Sequence, residues 1–351
     1  LIKVSSMDAP IFPDVLRAKQ LTLLARVGVD PADSRAIAAA VKRLSDFYLK
    51  HPEKSTPWHE IWAQTAYLTY FMPLNWWRVA GVIRRGQQVN FFDGFEHYID
   101  FGSGLGSVSC AFDAAGLSFK TGLCMERGLE AVAMHRELAE GSLTRLSWQT
   151  SGDAAGINHN TLAIFSYSFT ELSQLPSWVA NCDGLMMIEP STRDDARRLQ
   201  ALRSSLMEQG WYVWGPCTHA MDCPLLVSGE RDWCHDRFLW DQPNWLKAIE
   251  DHLPMKNGTL PCAWMMFKKT PPPTSGYARA RITGDMQEFK GYAKQLVCRS
   301  DRREFLSWQK KIFKKYPQMN RGELVTIQRD IPMKGQELRL ENISDVVIEP
   351  H

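Results

Sequence analysis

Between residues 96 and 215 the chain repeats one pattern, a short apolar run followed by a turn and an amphipathic segment. The apolar runs are HYIDF, GLCME, LSWQT, LAIFSYS, GLMMIEP and WYVWGP. Segments such as RGLEAVAMHRELAEG and RDDARRLQALRSSLMEQG lie between them with helical spacing. Runs this apolar suit strands buried on both faces, and strands that alternate with helices pair in parallel, so the pattern predicts an α/β fold with a helix-covered parallel sheet. The second of these helices is marked at both ends. Ser191 or Thr192 can cap its start, Asp194 and Asp195 suit its positive end, and Gly210 ends it. Leu199, Leu202 and Leu206 share one face.

The first strand runs directly into Asp100-Phe-Gly102-Ser103-Gly104-Leu-Gly106. Glycines let a backbone turn tightly and approach a ligand without a Cβ in the way. A dinucleotide fingerprint needs glycine at the sixth position, where this chain has Ser107. An acidic residue followed by G-x-G-x-G instead resembles the first motif of class I S-adenosylmethionine-dependent methyltransferases. In that family a carboxylate ending the second strand accepts from both ribose hydroxyls, and Glu126 stands there, twenty residues beyond Gly106. Asp153, after the third strand, falls where the adenine is held, and Ser166, ending the fourth, completes the expected cofactor set. The plainer alternative is a simple strand-to-helix turn.

The segment after the fourth strand limits the chemistry. Methylation of an adenine amine commonly uses an Asn/Asp-Pro-Pro-aromatic turn, and this chain has Ser166-Tyr-Ser-Phe-Thr-Glu171-Leu. Cytosine C5 methylation needs a thiolate nucleophile, and no cysteine stands directly after that strand. The motifs therefore point to cofactor binding and assign no catalytic residue.

Eight cysteines in a chain whose start shows no secretory pattern argue against a disulfide framework. Three of them, Cys217, Cys223 and Cys234, fall in GPCTHAMDCPLLVSGERDWCH. Thiols spaced along irregular chain can converge on a metal that ties the loop together. A closed site needs a fourth ligand, for which Cys298 and Cys262 are the candidates. Cys298 precedes a polar turn, whereas Cys262 sits inside an alternating strand, so Cys298 is preferred. Thiolates suit zinc or an iron–sulfur cluster, and spacing does not choose between them. Cys110, Cys124 and Cys182 occupy apolar positions and read as core.

Residues 1–90 read as a helical domain. Its Trp58, Trp62, Trp76 and Trp77 suit helix packing, and Pro73 is expected to break or kink the helix that carries it. Residues 91–270 form the Rossmann-like domain with the cysteine loop at 215–240, and 271–351 read as a basic, β-rich module with a helix at WQKKIFKKY. A chain of 351 residues accommodates this division. The net charge is only +2, yet between Lys268 and Lys315 thirteen Lys or Arg face four Asp or Glu, an excess that suits either a solvated face or a phosphate backbone. No run approaches the roughly 18 apolar residues of a membrane span, so no membrane is expected. The expected compartment is the cytoplasm, with the mitochondrial matrix as the alternative because the sequence starts at Leu1 rather than Met.

Taken together, IDFGSGLGS, SYSFTEL, MIEPST with its Arg-bearing helix, GPCTHAMDCPL and DWCH resemble the methyltransferase-like family associated with the small subunit of the mitochondrial ribosome and its bacterial relatives. YFMPLNWWRVAGVI resembles that family's helical lead-in, with Phe-Met-Pro where Arg-Met-Pro is usual. The resemblance spans about residues 60–330. The family's Cys-Pro-His element is Cys217-Thr-His219 here, its Asp-Trp-Cys-His element is intact at 232–235, and Glu189-Pro-Ser-Thr192 departs from its usual Glu-Arg/Pro-Gly. The resemblance implies a class I methyltransferase fold, S-adenosylmethionine as cofactor and a four-iron four-sulfur cluster. It matches Cys217, Cys223, Cys234 and Cys298 to the cluster's ligands. The implied partner is small-subunit ribosomal RNA or the assembling subunit. Two functions are implied as alternatives, an RNA-directed methyltransferase and a non-catalytic assembly or RNA-binding factor that keeps the fold.

Overall fold

The computed structural model describes residues 9–51, 54–273, 279–317, 319–327 and 331–349. Helix α1 spans Asp14–Arg26, and α2 spans Ser34–Lys50, capped by the Asp33 carboxylate, which accepts from the Ala36 N–H. Next, α3 (Ile61–Ala66) and α4 (Met72–Gln87) are joined by a π-helical turn at Tyr67–Phe71. The helix does not end at Pro73; the irregularity expected there takes the form of the π-helical turn just before it. Pro73 falls in the first turn of α4, and the wider turn before it accommodates a residue with no N–H to donate. Trp76 and Trp77 are buried as core, with Trp77 edge-on to Trp240 at 4.8 Å and Phe12 against both. Each such aromatic pair contributes about 0.5–1.5 kcal/mol beyond its buried area, which fixes the helical layer firmly.

The first sheet keeps to the anticipated alternation. In order come β1 (His97–Phe101), α5 (Ser107–Ala114), β2 (Thr121–Met125), α6 (Leu129–Leu138), β3 (Arg145–Gln149), β4 (Thr161–Ser166), β5 (Gly184–Glu189), α7 (Arg193–Glu208) and β6 (Tyr212–Gly215). The Thr192 hydroxyl caps α7 by accepting from the Asp195 N–H. The cysteine loop contains a short α8 (Pro224–Val227) and β7 (Asp236–Phe238), and then α9 (Asn244–Glu250) leads to β8 (Leu260–Lys268). The sheet order is β3-β2-β1-β4-β5-β8-β6, with β7 also on β8. Neighbours among β1–β5 pair in parallel, while β8 is antiparallel between β5 and β6. This is the expected Rossmann-like α/β architecture, except that the sheet expected to be parallel is mixed, because β8 returns antiparallel between β5 and β6. The chain runs outward from β1 to β3 and returns beside β1 as β4. Such a switch point leaves a crevice at the carboxyl ends of the two strands, where open α/β sheets bind ligands.

The remaining strands are β9 (Arg279–Ile282), β10 (Gln287–Glu288), β11 (Tyr292–Cys298), β12 (Glu304–Gln309), β13 (Leu324–Ile327), β14 (Met333–Lys334), β15 (Glu337–Arg339) and β16 (Val346–Ile348). They form a second sheet, ordered β14-β15-β12-β11-β9-β13-β16 with β10 on β11, over its own core of Ile282, Val297, Leu306, Trp308 and Val325. The helix expected at WQKKIFKKY is not there. Residues 304–309 instead pair with β11, Trp308 opposite Ala293, and the lysines after them lie in an irregular turn. Burying Phe305, Leu306 and Trp308 in a sheet outweighs the helical spacing of the lysines. The two sheets are tied by Asp236, fully buried, which pairs with Arg281 of β9 and lies 3.5 Å from Arg85 of α4. Among the described residues no helix is long and apolar enough to cross a membrane.

Candidate cofactor site and cysteine loop

At the end of β1 the backbone turns through Gly102, Gly104 and Gly106, all with left-handed φ (69°, 50° and 81°). The Gly102 and Ser103 N–H groups donate to the Met125 carbonyl, which anchors the turn to β2. A Cβ on Gly106 would lie 2.1 Å from His135 Nε2, and one on Gly102 would lie 2.7 Å from the Ser168 Cβ, so side chains are excluded on both sides. Glu126 reaches back over the turn. Its Oε2 accepts from the Gly104 N–H at 3.0 Å and its Oε1 from the Gly128 N–H at 2.8 Å. Each carboxylate oxygen keeps a second lone pair for a ligand hydroxyl. Beneath the turn Asp100 is fully buried, and neither of its carboxyl oxygens has a hydrogen-bond partner among the described residues. Burial first, and the nearby Glu126 second, push its pKa up to about 8.

A cavity of about 110 Å³ opens here, and of the expected cofactor residues Gly102, Gly104, Glu126 and Ser166 line it. Asp100, Ser103 and Gly106 lie behind that wall. Asp153 is exposed, and the wall after β3 is made by Thr150, Ser151 and Gly152 instead. The reason is local: the chain bends after β3, where Gln149 Nε2 donates to the Asp153 carbonyl and leaves the carboxylate outside.

Several wall residues escaped the sequence reading. Thr56, Trp58 and Tyr67 come from the helical layer and roof the cavity, with the Trp58 and Tyr67 rings 4.7 Å apart. Trp58 packs so closely on Gly128 that a Cβ there would meet its ring at 2.1 Å. Tyr167 has φ +59°, a strained conformation for an aromatic residue. It is held there by its N–H to the Ile188 carbonyl and by the Ser168 hydroxyl on the Phe101 carbonyl. Glu189, buried at the end of β5, accepts from the Phe169 N–H, and Arg198 of α7 donates to the Phe169 and Leu172 carbonyls. Glu171 also faces the cavity, its carboxyl pushed up by burial and then by Glu126, with Arg127 opposing. Two carboxyl groups, Glu126 and Glu171, thus face one cavity beside the glycine turn, an arrangement that suits a ligand combining positive charge with vicinal hydroxyls.

The cysteine loop is held from the same helix. Arg197 donates to the Leu225, Gly229 and Asp232 carbonyls and Arg203 to those of His219 and Met221. The loop folds onto the end of β11, where the Thr218 hydroxyl donates to the Cys298 carbonyl and His219 Nε2 lies 3.3 Å from Cys298 Sγ. Arg281 donates to Cys234 Sγ at 2.6 Å. The Cys298 thiol is pushed well up by burial and then by Cys217, Cys234 and Cys223 in turn, so the four thiols lie within electrostatic reach of one another. Cys262 is elsewhere, fully buried in β8 within the first core, and Cys110, Cys124 and Cys182 are buried as well. Among the described residues no three His, Cys, Asp or Glu side chains are gathered tightly enough to hold a metal ion. Cys217, Cys223, Cys234 and Cys298 thus share one region of the fold, with the Arg281 guanidinium beside Cys234.

Comparison with known proteins separates fold from family. Solved structures with a similar fold include the ribosomal protein L11 methylase of Lactobacillus delbrueckii subsp. bulgaricus, with 16% identity over 41% of this chain and 73% of that one and a TM-score of 0.30. They also include an S-adenosylmethionine-dependent methyltransferase of Thiobacillus denitrificans (10%, 54% and 90%, 0.31). A third is M. capricolum TrmK (7%, 54% and 69%, 0.30); both of these hold S-adenosylhomocysteine. No curated protein matches the chain. Residues 63–242, from the helical lead-in through the glycine turn to the end of the cysteine loop, match the family described as mitochondrial small ribosomal subunit Rsm22. That is just over half of the 351 residues, and the chain belongs to the Rsm22 family.

Proposed function

We propose that this chain is an S-adenosylmethionine-binding protein that acts on small-subunit ribosomal RNA or on the assembling small ribosomal subunit. The observation that carries the reading is the Glu126 carboxylate, bonded across the glycine turn at the switch point of the sheet and open to a cavity. In this reading Glu126, fixed by the Gly104 N–H, holds the ribose hydroxyls with its remaining lone pairs, and Glu171 at the cavity wall favours the cofactor's positive charge. S-adenosylmethionine would supply an electrophilic methyl group there. Tyr167 and Ser166 border the space where an acceptor would sit, and Trp58 and Tyr67 exclude water from above.

The second cofactor in this proposal is a four-iron four-sulfur cluster on Cys217, Cys223, Cys234 and Cys298, with zinc as the alternative. Its support is the thiol donor set and the two arginines of α7 that shape the loop. A cluster there would join the loop to the second sheet and so fix a basic surface. The family description also favours the mitochondrial matrix over the cytoplasm as the compartment.

The non-catalytic assembly role remains the alternative, favoured by Ser166-Tyr-Ser-Phe169 after β4, which lacks the Pro-Pro turn of amine methylation. Calorimetry with S-adenosylmethionine on metal-replete protein, then an assay of methyl transfer to small-subunit RNA, separates the two. Binding with transfer identifies an enzyme, and binding without transfer identifies the assembly factor. Absence of binding rejects the cofactor.

A further inference from the structure

The hairpin joining β10 to β11 carries two aromatic rings at the surface of the second sheet. Phe289 is 40% exposed, and its ring lies 4.6 Å from that of Tyr292 at an interplanar angle of 12°. The exposed Phe289 ring is thus stacked parallel on the partly exposed Tyr292 ring. Lys294 extends along the same face, with its Nζ 5.4 Å from the Phe289 ring and 4.4 Å from that of Phe305.

The lysine-rich turn after β12 is fastened to this hairpin. The Lys310 N–H donates to the Gly291 carbonyl, and both the Lys310 ammonium and the Tyr316 hydroxyl reach the Glu288 carboxylate. Lys311, Lys314 and Lys315 on that turn are exposed, as is Lys290 at the hairpin tip. Glu288 neutralises one charge. Lys294 and Lys310 therefore lie beside the aromatic pair, next to Lys290, and Lys311, Lys314 and Lys315 follow on the adjoining turn.

We propose that the Phe289–Tyr292 pair is a stacking platform for an unpaired RNA base, with the surrounding lysines tracking the phosphate backbone. The inference rests on the RNA-directed reading above and names the form of RNA recognised. A duplex hides its base faces, whereas a single strand offers them to any exposed ring. Lysines alone would bind both forms, so the aromatic pair is what prefers the unpaired strand.

The test uses the full chain with its metal, a fluorescent uridine homopolymer too short to fold, and a blunt RNA duplex of equal charge. Phe289→Ala should weaken single-strand binding by about 5- to 150-fold, the range for loss of one stacked base, and leave duplex binding unchanged. Phe289→Leu should behave like alanine, while Phe289→Trp should restore binding, which separates stacking from hairpin packing. Circular dichroism melting of each variant verifies that the sheet is intact. Equal losses on both RNAs, or full binding by Phe289→Leu, would overturn the platform while leaving RNA binding in place. A parent chain that binds neither RNA would overturn the underlying reading as well.

Discussion

Alanine at Gly106 tests the physical basis of the glycine turn, and its cost can be worked from the geometry. Gly106 sits at φ +81°, where an L-residue loses about 1–2 kcal/mol. The added methyl would also lie 2.1 Å from His135 Nε2. His135 is fully buried, 2.8 Å from the Ser109 hydroxyl and edge-on to Trp148 at 5.5 Å, so it has no room to retreat. Overpacking of this kind costs about 1–3 kcal/mol. Gly106→Ala should therefore lose about 2–5 kcal/mol in urea denaturation monitored by circular dichroism, a large part of an ordinary domain's stability. His135→Ala relieves the overlap and leaves the backbone strain. The double variant should accordingly be more stable than the two single losses add up to, by about 1–3 kcal/mol. Additive losses would show that the methyl and the imidazole do not compete, and would refute the reasoning.

The buried Glu189 carboxyl is pushed up to about 8, chiefly by burial, from an ordinary 4.5. Between those values the folded chain holds a proton that the unfolded chain has released, so stability falls as pH rises through that window. Glu189→Gln keeps an acceptor for the Phe169 N–H and should flatten the fall, whereas parallel stability–pH curves for parent and variant would show that the carboxyl titrates normally. In the cysteine loop, Cys298→Ser should lower bound iron and sulfide, or zinc, and raise protease sensitivity around 217–240, because the metal would tie that loop to β11. Cys262→Ser should do little beyond a packing loss, and the reverse result would move the fourth ligand into β8.

The strands of the first sheet were legible because parallel strands buried on both faces read as continuous apolar runs, and α7 was legible because Thr192 and Gly210 mark its ends. The glycine turn and Glu126 were legible for a related reason, since both sit at strand ends fixed by local pattern. The features hidden in the sequence were set by distant contacts. Trp58 reads as helix core and Tyr67 carries no motif of its own, and their place over the cavity depends on Gly128 and on how the helical layer packs. The lysines of 310–315 carry helical spacing, yet pairing of Phe305 to Trp308 with β11 decides the local structure. Asp153 comes after its strand at the right interval, but one bend past Gln149 turns it outward. Cys298 could be preferred to Cys262 from its strand-end position, because a residue leaving a sheet can meet a loop and one in mid-strand points into the core.

The central claim is that the carboxylate spanning the glycine turn holds the ribose of S-adenosylmethionine. Its most direct test is equilibrium binding of S-adenosylmethionine to the metal-replete parent and to Glu126→Ala. Charge-assisted hydrogen bonds of this kind contribute about 1.5–3 kcal/mol, so the parent should bind and the variant should bind about ten- to a hundredfold more weakly. Equal affinity in a folded Glu126→Ala protein, or a parent that binds no S-adenosylmethionine, would contradict it.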